Sequence, residues 1–150
     1  MALGSVFGTV CDVVDEMRER GVRIGALAIT SFRPFPLDAV RDVLGGARQV
    51  VVLERALAVG IGGIVSANVR TALSGIQLDG HTVVAGLGGR AITKASLHRL
   101  FDDALAGRLE PLTFLDLDTE LVERELARMA RTRRSGPSAE NILRDVGSNR

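Results

Sequence analysis

The sequence predicts an α/β protein, a three-layer α/β/α sandwich with a mainly parallel sheet, followed by a helical C-terminal tail. Short β-rich runs alternate with amphipathic runs, the loops between them are short, and glycine or proline stands at most of the junctions. Because parallel strands need a crossover connection, usually a helix, this alternation indicates parallel pairing. With 150 residues, 46% of them hydrophobic, the chain can form one sizeable core.

The first half of the chain predicts two strands and two helices. Residues 1–5 supply about half a strand, and the helix after them has one apolar face at helical spacing. That face consists of Val6, Val10, Val13, Val14 and Met17. Gly21 ends the helix, and the β-branched and small residues at 22–29 predict a strand. The prolines of the "RPFP" segment stop this strand and start a short helix at residues 37–44.

The second half predicts two more strand–helix units. The apolar run "QVVVL" at residues 49–53 is typical of a strand buried on both faces, and Glu54 and Arg55 stand at its carboxyl end. After "VGIGG" comes a helix with the apolar stripe Val65, Val69, Ala72 and Leu73, in which Gly62, Gly63, Ser66 and Ala67 allow close packing. Residues 82–85 predict the next strand, and Thr93 is expected to cap the helix after it. The apolar face of that helix consists of Leu97, Leu100, Phe101, Ala104 and Leu105.

The sequence changes character after residue 110, which predicts an α/β domain at residues 1–110 and a C-terminal extension at residues 111–150. The extension has a charged helix at about residues 119–131 and a short terminal helix with an apolar stripe at residues 139–146. Its basic segment and terminal helix are either a solvated end or a docking arm for a partner subunit or a second copy of the chain.

Composition excludes several classes of function. A net charge of +1 and the absence of Trp and Tyr leave neither a basic surface nor stacking platforms for nucleic acid. The apolar runs are shorter than the roughly 20 residues that cross a bilayer, so no membrane partner is expected. Without a secretory signal pattern, the expected location is the cytoplasm. Cys11 is the single cysteine, so the chain can form neither an internal disulfide nor an iron–sulfur cluster alone.

Motifs for catalysis, phosphate binding and metal binding are incomplete. Gly86, Gly88 and Ala91 match the G-x-G-x-x-A spacing, but a dinucleotide site needs an acidic residue about 20 positions later, where Gly107 and Arg108 stand. A structural turn is the preferred interpretation. Neither histidine has further ligands at metal-binding spacing. We therefore expect no catalytic, cofactor-binding or metal-binding residue in this chain.

Polar side chains that follow the strands are the candidates for ligand or partner binding. In an α/β sheet the carboxyl ends of the strands share one edge, where ligands bind. The residues expected there, as an anion, coenzyme or interface site, are Ser5, Arg33, Arg55 and Arg90, with Arg90 pointing toward the other two arginines. The alternative is that these residues only form a polar rim around the strand ends and bind nothing. Structural turns are expected at Gly4, Pro34, Pro36, Gly62, Gly63, Gly86, Gly88 and Gly89.

Three segments, in this order, resemble a known domain. They are "LGSVFGTVCDVVDEMRERGVRIGALAITSFRPFP", "VVVLERALAVGIGG" and "GLGGRAIT". Over residues 2–105 they resemble the transketolase-C-like domain in the alpha subunit of pyruvate and other 2-oxoacid:ferredoxin oxidoreductases. The resemblance implies a part in the oxidative decarboxylation of a 2-oxoacid to an acyl-CoA. In that family this domain is a non-catalytic assembly element that borders the active-site entrance.

The resemblance also implies how the cofactors are distributed. Thiamine diphosphate, Mg²⁺ and iron–sulfur clusters would lie on partner chains of a hetero-oligomer, coenzyme A would be a co-substrate, and ferredoxin would interact indirectly. Ala91 departs from the family pattern, in which that position is commonly acidic. Because the thiamine-binding domains are absent from the sequence, the chain is expected to be a subunit of a split enzyme or an excised domain. The alternative is a free-standing module that binds an anionic nucleotide or coenzyme at the strand edge.

Overall fold

The computed structural model describes residues 1–58 and 60–132. The chain divides into two compact units, Met1–Asp116 and a second unit that begins at Leu117. In chain order, the first unit contains β1 (Ala2–Leu3), α1 (Val6–Glu19), β2 (Ala28–Ile29), α2 (Leu37–Leu44), β3 (Gln49–Glu54), α3 (Ile64–Ala72), β4 (Asp79–Val84), a single 3₁₀ turn (Leu87–Gly89), α4 (Lys94–Leu105) and β5 (Leu112–Phe114). The described part of the second unit contains α5 (Thr119–Thr132).

All of the strand pairs are parallel within the described part of the chain. β1 pairs with β2, and β4 lies between β3 and β5. The backbone N–H of Leu53 donates to the carbonyl oxygen of Met1 at 2.9 Å, which places β1 beside β3. The predicted α/β fold class, with parallel strands joined by helical crossovers, is confirmed.

Helices cover both faces of the strands, which gives the three layers. On one face, α1 and α4 pack together over Leu53 and Val83, and their buried side chains include Met17 and Leu97. On the other face, α3 packs over β3, and α2 packs beside α3. Because side chains alternate along a strand, Val50 and Val52 of β3 face α3 while Leu53 faces α1 and α4. The continuous apolar run at residues 49–53 therefore contributes side chains to the cores on both faces of the sheet.

The strand predicted at residues 22–29 is wrong in extent, because only Ala28 and Ile29 pair as β2. The N–H of Ile24 bonds to the Val22 carbonyl, and the carbonyl of Ile24 accepts from Arg18 Nε at 2.7 Å. These local bonds occupy backbone groups that a neighbouring strand would need. The segment still packs its apolar side chains against the core between α1 and α4.

The end of the first unit contains a strand that was not predicted. β5 pairs with the last three residues of β4, and Thr82 N donates to the Pro111 carbonyl oxygen at 2.9 Å. In the second unit, α5 agrees with the helix predicted at residues 119–131, and Arg128 bonds to Glu125 at 2.7 Å. The basic segment after residue 132 and the terminal helix predicted at residues 139–146 lie outside the described residues.

Replacing Gly8 by alanine is expected to raise the free energy of unfolding by about 0.5–1 kcal/mol. Gly8 lies in the interior of α1, and a Cβ added there meets no atom within 4 Å. Glycine loses more backbone entropy than alanine when a helix forms. Urea unfolding of the Gly8→Ala variant measures the change. An unfolding midpoint below that of the parent would show that Gly8 has a packing role.

Candidate functional site

A pocket of about 320 Å³ opens at the carboxyl edge of β1 and β3. We call it the edge pocket, and its lining includes Leu3, Ser5, Phe32, Glu54, Arg55 and Ile64. The sheet brings these residues together because β1 and β3 are parallel neighbours and both end here. Two helices also begin at this edge, α1 after Ser5 and α3 after Gly63. The edge pocket is the candidate site.

Glu54 is a buried carboxylate in the wall of this pocket, only 2% exposed. The alternation that turns Val50 and Val52 toward α3 turns Glu54 to the same face, at the start of that helix. Its Oε1 accepts hydrogen bonds from Ser66 N at 2.6 Å and from Ser66 Oγ at 2.9 Å. The side chain thus satisfies one of the first N–H groups of α3, and its charge complements the positive end of the helix dipole.

Gly63 makes this close approach possible. A Cβ added at Gly63 would lie 2.5 Å from Cγ and 2.6 Å from Cδ of Glu54, and closer still to Oε1. Gly63, predicted to allow close packing, leaves room here for the Glu54 side chain. Gly62 is different, because it has a φ of 85° and a Cβ there would meet no atom within 4 Å. Its role is the backbone turn.

The structure brings two of the four predicted site residues into one pocket. Ser5 and Arg55 both line the edge pocket and are both exposed, whereas Arg33 and Arg90 are not among its lining residues. The Arg33 guanidinium lies 4.0 Å from the centroid of the Phe32 ring and donates to the Phe32 carbonyl. The peptide bond that follows Arg33, to Pro34, is cis.

Arg90 has a hydrogen-bond partner that the sequence did not indicate. Its guanidinium donates a hydrogen bond to the backbone carbonyl of Asp116. That carbonyl follows β5, a strand that the sequence did not predict, so this partner was not anticipated. Of the three predicted arginines, Arg55 lines the edge pocket together with Glu54, and Arg33 and Arg90 do not.

The glycine turn after β4 has the conformation that the sequence predicted. Gly86, Gly88 and Gly89 have φ values of 71°, 66° and 81°, a region in which other residues are strained. A Cβ at Gly86 would lie 3.4 Å from Arg55 Nε, so this turn also leaves room for the Arg55 side chain. The predicted cap is confirmed, since Thr93 Oγ1 accepts from Ser96 N at 3.1 Å.

Both histidines take part in hydrogen bonds away from the edge pocket. Nε2 of His81 lies 3.0 Å from Gln49 Nε2, and its Nδ1 lies 3.1 Å from the Glu110 carbonyl oxygen. His98 Nε2 lies 2.6 Å from Glu16 Oε2. Among residues 1–58 and 60–132, no three His, Cys, Asp or Glu side chains are arranged to hold a metal ion.

Glu16 joins α1 to α4 through an exposed ionic cluster. The His98 hydrogen bond, and after it the hydrogen bond from Lys94 at 3.1 Å, hold the pKa of Glu16 below its ordinary value of 4.5. Glu16 also heads the interactions that raise the pKa of Lys94, ahead of Asp12, above its ordinary value of 10.5. The Glu16 carboxylate and the Lys94 ammonium group therefore stabilise each other.

Glu16→Gln is expected to lower the unfolding midpoint near neutral pH, with a difference from the parent that disappears in acid. A carboxyl group with a lowered pKa stabilises the fold above its unfolded-state pKa of 4.5, and this contribution is lost as the pH falls through the lowered value. Urea unfolding at several pH values measures the difference, and salt should reduce it because the cluster is exposed. A difference that persists at a pH well below 4.5 contradicts this assignment.

The parallel three-layer fold and the pocket at the carboxyl edge of its strands define an α/β domain of the type found at the C-terminus of transketolase. The chain belongs to a family within this class, that of the pyruvate:ferredoxin oxidoreductase core domain II, whose sequence model matches residues 1–97. No helix in the described ranges is both long enough and apolar enough to cross a membrane.

Several curated proteins are similar to this chain. Pyruvate synthase subunit PorA of Thermotoga maritima is 40% identical over 111 residues, which cover 73% of this chain and 28% of the relative. PorA of Methanosarcina barkeri is 34% identical over 131 residues, covering 81% of this chain and 32% of the relative. Ketoisovalerate oxidoreductase subunit VorA of Pyrococcus horikoshii is 30% identical over 105 residues, covering 69% of this chain and 27% of the relative. The chain spans about a third or less of the length of these relatives.

Proposed function

We propose that this chain is the assembly domain of a thiamine-diphosphate-dependent 2-oxoacid:ferredoxin oxidoreductase and carries no catalytic residue of its own. The observation that supports this most is the core domain II match over residues 1–97, together with relatives that are subunits of pyruvate synthase and ketoisovalerate oxidoreductase. In this function the domain fixes the geometry of partner chains that perform the chemistry in the cytoplasm. The 2-oxoacid is pyruvate or a related acid, and coenzyme A is the acyl acceptor.

The residues of this chain do not fit the cofactors that the reaction needs. An iron–sulfur cluster is held by several cysteine thiolates, and Cys11 is the only cysteine. Thiamine diphosphate is bound with Mg²⁺, and the described residues contain no group of three or more His, Cys, Asp or Glu side chains that could hold that ion. We therefore assign thiamine diphosphate, Mg²⁺ and the clusters to partner chains, from which electrons pass to ferredoxin.

Exposed apolar side chains in the loops around the edge pocket support a role in assembly. Leu57 and Ile61 lie between β3 and α3, Ile64 opens α3, and Leu87 lies in the turn after β4. Their exposed fractions are 36%, 67%, 42% and 46%. An exposed group of large apolar residues with a polar rim is typical of a protein interface. We call these four residues the edge loops surface.

Co-expression with thiamine-binding and iron–sulfur subunits, which a split enzyme is expected to have encoded close to this chain, tests the proposal. The tagged chain is expected to capture both, and the complex to reduce ferredoxin in a pyruvate- and coenzyme A-dependent reaction. The chain alone should bind neither thiamine diphosphate nor iron. Ile61→Asp is expected to reduce capture, whereas the control Leu105→Asp, on the exposed side of α4, should not. Micromolar thiamine diphosphate binding by the chain alone, or no complex at all, would contradict the proposal.

A second candidate function is a free-standing module for an anionic nucleotide or coenzyme. It is supported by Ser5 and Arg55, which share one pocket. The size of this pocket argues against the second candidate function, because a volume of about 320 Å³ is at the small end of the roughly 300–1,000 Å³ typical of ligand pockets. The two candidates differ in what purifies with the chain. Mass spectrometry of the purified protein would detect a phosphorylated small molecule in one case and partner subunits in the other.

A further inference from the structure

We propose that the edge pocket binds a free α-amino acid with an apolar side chain. In this assignment Glu54 receives the ammonium group, Arg55 and Ser5 receive the carboxylate, and the apolar wall receives the side chain. The inference goes beyond the assembly function and does not depend on it. It rests on one unpartnered carboxylate oxygen of a residue that lines the pocket, one unpaired cation and the size of the pocket.

The unpartnered oxygen is Oε2 of Glu54. Both hydrogen bonds of this carboxylate go to Oε1, from the backbone and the hydroxyl of Ser66. Within residues 1–58 and 60–132, Oε2 has no hydrogen-bond partner and is not fully buried, and Glu54 lines the pocket. A carboxylate oxygen that keeps some solvent access and has no protein donor can accept a hydrogen bond from an occupant of the pocket. An ammonium group carries three donors and a complementary charge.

The unpaired cation is Arg55, the next residue along the chain. Its exposed guanidinium makes no hydrogen bond or ion pair with the part of the chain that the structure describes. Ser5 stands at the start of α1 with no cap bond from its side chain, and the first turn of α1 has no acidic residue. A guanidinium, a free hydroxyl and a helix N-terminus together favour a carboxylate.

Opposite charges in one small pocket select the class of ligand. A simple anion would be repelled by Glu54, and a simple cation by Arg55, whereas a zwitterion satisfies both. Much of the remaining wall is apolar and includes Leu3, Phe32 and Ile64. The Phe32 ring is held by the Arg33 guanidinium and by an edge-on contact with Phe35, whose ring centroid is 5.9 Å away. A volume of about 320 Å³ suits an amino acid better than a complete coenzyme.

Calorimetric titration of the chain with three compounds of the same carbon skeleton tests the proposal. L-leucine has both charged groups, 4-methyl-2-oxopentanoate lacks the ammonium group, and 3-methylbutylamine lacks the carboxylate. L-leucine is expected to bind, and each analogue to bind about tenfold more weakly or worse. The proposal is overturned if L-leucine at about 10 mM does not bind, or if the 2-oxoacid binds as tightly as L-leucine.

Variants of the chain test which residue binds each charged group of the amino acid. Arg55→Ala is expected to weaken L-leucine binding about tenfold, while Arg48→Ala, an exposed arginine just before β3 and therefore at the opposite edge, should bind as the parent does. Glu54→Gln keeps an oxygen for Ser66 and removes the charge, so it should lose L-leucine binding while its circular dichroism spectrum stays folded. Unchanged binding in Arg55→Ala, or in a folded Glu54→Gln, rules the site out. If Glu54→Gln unfolds, the binding of 4-methyl-2-oxopentanoate, which lacks the ammonium group, decides the role of that group.

Discussion

Gly63→Ala is expected to lower the free energy of unfolding by about 3 kcal/mol. The new methyl group would lie 2.5 Å from Cγ of Glu54, so the buried carboxylate must leave Ser66 or α3 must shift. Either response breaks the hydrogen bonds from Ser66 N and Ser66 Oγ to Glu54 Oε1. Urea unfolding followed by circular dichroism measures the loss.

Two other glycines provide matched controls. At Gly88 a Cβ would have open space, but the backbone φ is 66°. Gly88→Ala should therefore lower the free energy of unfolding by only about 1 kcal/mol, through backbone strain. Gly8→Ala has neither problem and should stabilise α1 slightly. The expected order of stability is thus Gly8→Ala, parent, Gly88→Ala, Gly63→Ala. If Gly63→Ala unfolds at the same urea concentration as Gly88→Ala, the Glu54 side chain moves aside freely and does not cap α3 rigidly.

Leu97→Ala is expected to lower the free energy of unfolding by about 3 kcal/mol, measured by the same urea unfolding. The Leu97 side chain is 0% exposed in the core between α1 and α4, where shortening it leaves a cavity. Leu105 lies on the same helix and is 55% exposed, so Leu105→Ala should change the free energy of unfolding by less than about 0.5 kcal/mol. Equal losses in the two variants would contradict the packing of α4 on α1.

The alternation of strands and helices was predictable because it depends on local patterns of burial. The apolar face of α1 was read from helical spacing, and all five of its residues are buried. The run at residues 49–53 was read as a strand because both of its faces are covered. The segment at residues 22–29 has the same composition as a strand, but its backbone bonds to Arg18 and to itself. Composition does not distinguish these two uses of an extended segment.

The candidate site was predictable only in part. Ser5 and Arg55 were found because the carboxyl ends of parallel strands meet at one edge. The partner of Arg90 is not predictable from local patterns, because the Asp116 carbonyl is 26 residues away and follows β5, a strand that the sequence does not indicate. Glu54 was noted as a polar strand end and was not selected as a site residue. The sequence does contain a signal for Glu54, because it follows Val50 and Val52 at alternate positions and so lies on a face that is otherwise apolar. A charged side chain buried on such a face must have a partner.

The side-chain bridge from Glu54 to Ser66 spans the loop that joins β3 to α3. Both ends of this loop are anchored by the bridge and by the pairing of β3, so apart from Gly62 and Gly63 the fold depends little on the sequence between them. Lengthening an anchored loop costs little, because the entropy of closing it grows only with the logarithm of its length. Under the proposed assembly function, residues such as Leu57 and Ile61 can therefore change during evolution to suit a different partner, while the strand and the helix on either side remain in place.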